Sequence, residues 1–397
     1  MAPDHVKFTF TPAHTDAEVQ TAMIEMNDGD TIYFTQGNYQ FTTMLSIDGK
    51  NNFVMLGDGR NNTFLSFEGQ TSGAQGIYGT SLKWVLFRDF TITDPEGDGI
   101  KVKDSDGITF LRIGVTHTNA ADSTNGGYGI YPVACENILI DDCYVSGASD
   151  AGIYVGQSSQ VIVRNSEVEG NVAGIEIENC INADVYANKS HDNAGGIIVF
   201  DLPNLPVIKN GHSIRVFDNT ILSNDLVNFA LAGNIVASVP TGTGIMLMAV
   251  KSAEVFDNTI IENNVMSVGI ISFNTLSALN GIVVTDTVYV SFSKEIHVHD
   301  NTITSSTNYP SVLNPISDLL VNTVFGGGDV PDILYDGFVH PDFAADNTKG
   351  ICIQDNGNAT FANLDVAGSF LGLSFDATPH NCSRTSLTAV TVMAPTP

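Results

Sequence analysis

Two glutamates, Glu176 and Glu178, flank Ile177 in the run AGIEIENC. In a strand, residues two apart project from the same face, so both carboxylates stand together and Ile177 faces the other way. Such a pair can divide acid and base roles between its members, because like charges push one pKa upward. It can also offer oxygen ligands to a hard cation. Other reactive types recur nearby. Tyr131 and Tyr154 precede the pair, Lys101 and Lys103 lie further upstream, and Asp150, Asn171, His191 and Asp201 border the neighbouring runs. Tyrosine rings beside carboxylates suit a sugar, which packs its C–H face on aromatics and hydrogen-bonds its rim. From these types, catalysis is expected of Glu176, Glu178, Tyr154, His191 and Lys101. Substrate contacts are expected of Tyr131, Lys103, Asp150, Asn171, Asp201 and Phe200. A Ca²⁺ ion is the one cofactor expected, held by Glu176, Glu178, Asp150 and Asp201.

These residues can meet only if the chain repeats. The dipeptide Gly-Ile recurs at Gly76, Gly99, Gly129, Gly152, Gly174, Gly196, Gly244 and Gly269, with a basic period of about 22 residues. A second column follows it in VFDNTI, which occurs twice, in VHDNTI, and in the weaker LIDDCY, IVRNSE and VYANKS. It places Asp142, Asn165, Asn188, Asn219, Asn258 and Asn301 at one equivalent position, where Asn serves a tight turn. The runs between alternate, which argues against helical repeats, and the Leu-x-x-Leu-x-Leu pattern is absent. The expected fold is all-β, a single-stranded right-handed parallel β-helix with three strands per coil. DAEVQTAMIE is expected to form a capping helix at its N-terminal end.

With the Ile of each Gly-Ile set inward, one outward column reads Tyr78, Lys101, Tyr131, Tyr154, Glu176, Ile198, Met246, Ile271. The next reads Lys103, Val133, Gly156, Glu178, Phe200, Met248, Phe273, with Gly156 leaving room beside Tyr154 for a ligand. The face therefore runs from lysines through tyrosines to carboxylates and then to apolar side chains. Insertions before Tyr128, after Phe200, before Gly244 and after Phe273 all flank this strand, where functional loops are usually built. The segments 118–127 and 201–212 are expected to wall an open groove, and Phe200, Met246, Met248 and Phe273 to be covered by the loops or by residues 304–349.

The capping helix, the Gly-Ile coils and the Asn turns resemble the pectate-lyase-like superfamily of right-handed β-helix proteins over about residues 10–303. The resemblance implies a polysaccharide bound along the outer face of the first sheet. It favours a polysaccharide lyase or C5-epimerase acting on a uronate-containing glycan. A glycoside hydrolase using the carboxylate pair and a non-catalytic carbohydrate-binding or partner-binding β-helix remain alternatives. The Gly-His-Gly and Arg-Ile-Lys of polygalacturonase-like enzymes are missing, and TDPEGDGI has Glu96 where an alginate-epimerase-like motif carries His.

Composition limits the partners. Forty-four acidic against 16 basic residues give a net charge of −28, opposed to nucleic acid and anionic lipid. No apolar run reaches the length of a membrane span. The opening MAPDHVKF reads as an added Met on a trimmed mature chain, so a secreted or periplasmic location is expected. Of the five cysteines, only Cys352 and Cys382 are expected to pair. Residues 1–303 are expected to form the capped β-helix, and 304–397 a C-terminal extension packing on or closing it.

Overall fold

The structure is a computed structural model and describes residues 6–345 and 350–395. Every ladder between named strands is parallel, so each coil climbs one strand spacing of about 4.8 Å. One 11-stranded sheet collects the Gly-Ile strands, and the remaining strands join a 20-stranded parallel assembly. A representative coil is Ala173–Glu178, Ile181–Tyr186 and Lys189–His191. The N-terminal end is closed by helix Asp16–Glu25, whose start is fixed by a reciprocal capping box between Thr15 and Glu18 and which buries Val19, Ala22 and Met23.

Ile100, Ile130, Ile153, Ile175, Ile197 and Ile245 pair in register and are fully buried, as the Gly-Ile repeat predicts. The glycines have a steric reason. A Cβ on Gly129 or on Gly174 would lie 2.6 Å from the carbonyl oxygen of the next coil's glycine. The register departs at Gly269. Val268, not Ile270, stacks on Ile245, so Gly269 and Ile271 follow Met246 and Met248, and Phe273 opens the helix Phe273–Asn280 instead of continuing the column.

The asparagine column is a buried ladder. Each Nδ2 of Asn188, Asn219, Asn258 and Asn301 donates to the next Oδ1 at 2.8–3.0 Å, ending on Asn356. Asp142 and Asn165 are not rungs of it. They occupy the left-handed position one residue earlier, and Cys143 and Ser166 fill the column there. A second ladder, Asn171–Asn193–Asn224–Asn263, follows the third strands with Nδ2–Oδ1 distances of 2.9–3.0 Å.

Position 303 is not a break in the sheets, because Ile333–Tyr335, Ile351–Gln354 and Phe361–Asn363 continue them. The Cys352–Cys382 disulfide is present, and Cys135, Cys143 and Cys180 are free and buried. Beyond Cys382 the chain runs back along the outside of the second strands. The Leu387 amide donates to Glu254 (2.9 Å), that of Val390 to Asp184 (3.0 Å) and that of Met393 to Asn137 (3.1 Å). The Pro395 carbonyl accepts from Thr109 at 2.6 Å. No helix among the described residues is long and apolar enough to cross a membrane.

Candidate functional site: a roofed groove with buried carboxylates

Parallel pairing stacks Tyr154, Glu176 and Ile198 in one outward column and Gly156, Glu178 and Phe200 in the next. The face they line is not open. A cavity of 590 Å³ lies over it, with Asp150, Glu176 and Glu178 at one end, Asp336 further along, and apolar side chains such as Met246, Met248 and Leu276 over most of the rest. The expected walls contribute little: Gly127 and Leu202 are the lining residues from 118–127 and 201–212. The roof is built by residues 233–240, the helix after Ser272 and segments around Leu320 and Val366, while Leu334 continues the floor. Phe200, Met246, Met248 and Phe273 are buried beneath this covering. The covering follows from the sequence of the face itself, since such an apolar stripe is not left in water.

Burial makes the carboxylates unusual. Glu176 is 3% exposed and Glu178 6%, and no Lys or Arg among the described residues pairs with either. Desolvation, reinforced by Asp150, holds the Glu176 carboxyl well above the ordinary range. Glu178 is raised to about 7 by burial and by Asp201 and Asp150. Asp150 also rises to about 7, mainly through burial, despite a 3.1 Å hydrogen bond from the Tyr128 hydroxyl. Asp201 rises to about 7 by burial, and its Oδ2 has no partner. The arrangement therefore favours the protonated form of Glu176 and raises the three neighbouring carboxyls to about 7.

The other expected site residues divide. Tyr131 and Tyr154 do flank the carboxylates, but with Tyr128 they pack on one another, ring centroids 4.5–4.8 Å apart. Their faces are largely spent on each other. Gly156 leaves room for the ring of Tyr154, whose hydroxyl would lie 2.5 Å from a Cβ at that position, and not for a ligand. Lys101 is held 3.5 Å from Asp98 and 4.1 Å from the Tyr131 ring centre. Lys103 is exposed and pairs with Asp104 at 3.3 Å. Phe200 lines the apolar limb. Asn171 is a rung of the second ladder, fully buried, and makes no approach to the groove. His191 lies in the third strand, on a different face, between Glu167 (3.0 Å) and Asp192 (2.6 Å), so it cannot serve the glutamate pair.

The four carboxylates named for calcium do not gather at one point. Among the described residues, sets of three donors within 4.8 Å occur at Glu254, His297 and His299 and at Glu169, His191 and Asp192. Sequence reading missed Tyr128 and Asp336. Asp336 is buried in the cavity lining and is raised by desolvation, although it accepts from Thr275 Oγ1 at 2.6 Å. Its signal, a lone LYDG beyond the last recognisable repeat, has no periodic context.

Comparison with known proteins agrees on architecture. Residues 75–233 match the family model of the right handed beta helix region. No curated protein sequence matches the chain. Among solved structures, the chain is similar to the A-module of the Azotobacter vinelandii mannuronan C-5 epimerase AlgE4, at 16% identity and a TM-score of 0.50, over 75% of this chain and 85% of that one. The pectate lyase Pel9A aligns over 97% of this chain and 90% of its own at 13% identity, with a TM-score of 0.45. An alginate lyase from Paenibacillus sp. aligns over 64% of this chain and 95% of its own at 13% identity, with a TM-score of 0.33.

Proposed function

From the right-handed parallel β-helix fold and the resemblance of its coils to the pectate-lyase-like superfamily, we propose that this chain is a carbohydrate-active protein working by acid–base chemistry at Glu176 and Glu178. Glu176, whose protonated form burial favours, gives its proton to the glycosidic oxygen as the C–O bond breaks, and Glu178, titrating near neutrality, takes a proton from the water that attacks the anomeric carbon. The substrate is an uncharged sugar carrying an apolar substituent. The observation that carries the reading is one cavity joining a protonatable carboxylate end to an apolar limb. A 590 Å³ chamber suits one small amphiphilic ligand better than a long polymer.

The uronate lyase or epimerase favoured on resemblance becomes the second reading. A uronate would meet the lining carboxylates Asp150, Glu176, Glu178 and Asp336 with no Lys or Arg among the described lining residues, and nearby Lys101 is held by Asp98. One observation keeps it in view: carboxylates without a counter-charge attract a cation, and Ca²⁺ held by one neighbouring pair, Asp150 and Glu176, with water completing its shell would admit an anionic sugar. Export is proposed alongside, supported by the Cys352–Cys382 disulfide, which suits an oxidising compartment.

Neutral glycosides with alkyl or aryl aglycones and uronate polymers, each with and without Ca²⁺, separate the readings. Released reducing ends report hydrolysis, and unsaturated uronate absorbance reports elimination. Saturable binding without turnover on every substrate would make the chain a binding module. Full activity in Glu176→Gln would end the acid–base assignment.

A further inference from the structure

A second cluster lies on the outside of the second strands, away from the groove. In the strand Lys294–His299, Ile296 and Val298 point inward, so His297 and His299 share the outer face. One coil earlier, Glu254 pairs in register with His297, and Phe256 with His299. Facing donor atoms of Glu254, His297 and His299 lie within 4.8 Å of one another.

The members of the cluster are not equally satisfied. Glu254 Oε2 accepts the Leu387 amide at 2.9 Å, which leaves Oε1 directed at His299 Nε2, 3.2 Å away. His299 Nδ1 sits 2.7 Å from Asp300 Oδ2, and its ring stacks on Phe256 with 4° between the planes. His297 is 5% exposed, and neither of its ring nitrogens has a hydrogen-bond partner. Two unpartnered nitrogens in a buried imidazole are a real cost, because such groups are nearly always satisfied. The contrast with His191 is instructive: there both nitrogens are already taken by carboxylates.

We propose that Glu254, His297 and His299 form a binding site for a divalent transition-metal ion of the Zn²⁺ type, closed over by the C-terminal strap. Two imidazoles and one carboxylate leave a fourth position for water in a tetrahedral set. Nitrogen donors select Zn²⁺, Cu²⁺ or Ni²⁺ over Ca²⁺, which prefers oxygen. The Asp300 contact supplies the outer hydrogen bond that fixes a ligating imidazole's orientation and tautomer. Burial first, then the neighbouring His299 and Arg384, favour neutral His297, and a neutral imidazole is the form that binds metal. The positive charge of Arg384 is set against Glu254 and Asp300. The ion would sit where the strap meets the sheet, since Leu387 bonds to Glu254 and Cys352, anchor of the disulfide, pairs in register with His297.

The test uses the full chain after chelator treatment, titrated with Zn²⁺ alone by calorimetry and with Co²⁺ by visible absorption. The expected result is one equivalent bound, a tetrahedral Co²⁺ spectrum and a higher melting temperature with Zn²⁺. His297→Ala should abolish the stoichiometric binding, and Asp300→Asn should weaken it by about 10–100-fold. His191→Asn should leave binding unchanged. Where His297→Ala does not fold, Glu254→Gln and Asp300→Asn decide the matter. No Zn²⁺ bound by the wild type, equal binding by folded His297→Ala, or loss of binding in His191→Asn instead would each overturn the proposal.

Discussion

Replacing Glu178 by Gln is expected to stabilise the protein in alkaline solution and to do little in acid. The carboxyl is raised from 4.5 to about 7 in the folded state, chiefly by desolvation. In the unfolded chain it ionises near its ordinary value, so between those limits the folded state holds the extra proton. Stability from this group is therefore complete below about pH 4.5 and is lost as pH rises through about 7. A shift of about 2.5 units corresponds to about 3 kcal/mol. Asp150 and Asp201 titrate in the same range, so removing one charge also eases theirs. Against this, the amide must be buried without an assured partner, at about 1–2 kcal/mol. The net expectation is a gain of about 1–2 kcal/mol at about pH 8 and none, or a small loss, at about pH 5. Melting temperatures of wild type and Glu178→Gln, compared at both pH values, give the measurement. Subtracting the variant cancels the background set by the −28 net charge. A gain of equal size at both pH values, or a destabilised variant at high pH, would refute the desolvation argument.

Asn219→Ala removes a rung that both donates to Asn258 (2.9 Å) and accepts from Asn188 (3.0 Å), and should cost about 1–3 kcal/mol, read as a lower melting temperature. Asp142→Ala, outside the ladder, should change it far less. Reducing Cys352–Cys382, with its 30-residue separation, should cost about 3–4 kcal/mol, and free-thiol counts in denaturant should rise from three to five on reduction. Glu176→Gln should abolish turnover on any substrate the wild type processes while leaving the melting temperature at neutral pH unchanged or raised.

The repeat made the scaffold readable because each coil obeys the same local rules. Ile130, Ile153 and Ile175 sit where the Gly-Ile spacing put them, since a glycine beneath each neighbouring carbonyl leaves the register little freedom. Errors arose where one residue decides between two columns. Asp142 and Asn165 are left-handed turn residues, and Ser166, one position later, is the rung. Asn171 looked like a cleft residue until stacking against Asn193 became visible; the recurring Asn in SEVEGN, SHDN and ILSN was the overlooked signal. The face of the glutamates was legible, and so was the covering of its apolar part; that the covering closes over Glu176 and Glu178 as well was not. Residues 233–240, Leu320 and Val366 reach the groove from distant parts of the chain, and no period connects them to Glu176. The mutual packing of Tyr128, Tyr131 and Tyr154 likewise depends on ring orientation, which spacing does not encode.

The strap that follows Cys382 changes how such a stack comes apart. A solenoid of coils touching only their neighbours frays from its ends, each coil melting with little effect on distant ones. Here Leu387, Val390, Met393 and Pro395 are tied in turn to Glu254, Asp184, Asn137 and Thr109. A single 14-residue ribbon, 382–395, thus spans coils from the C-terminal end nearly to the first third of the chain. Loosening a middle coil must peel the ribbon, and peeling the ribbon exposes coils on both sides. The ribbon follows the coils it touches in sequence, and its docking converts a row of neighbours into a closed circuit.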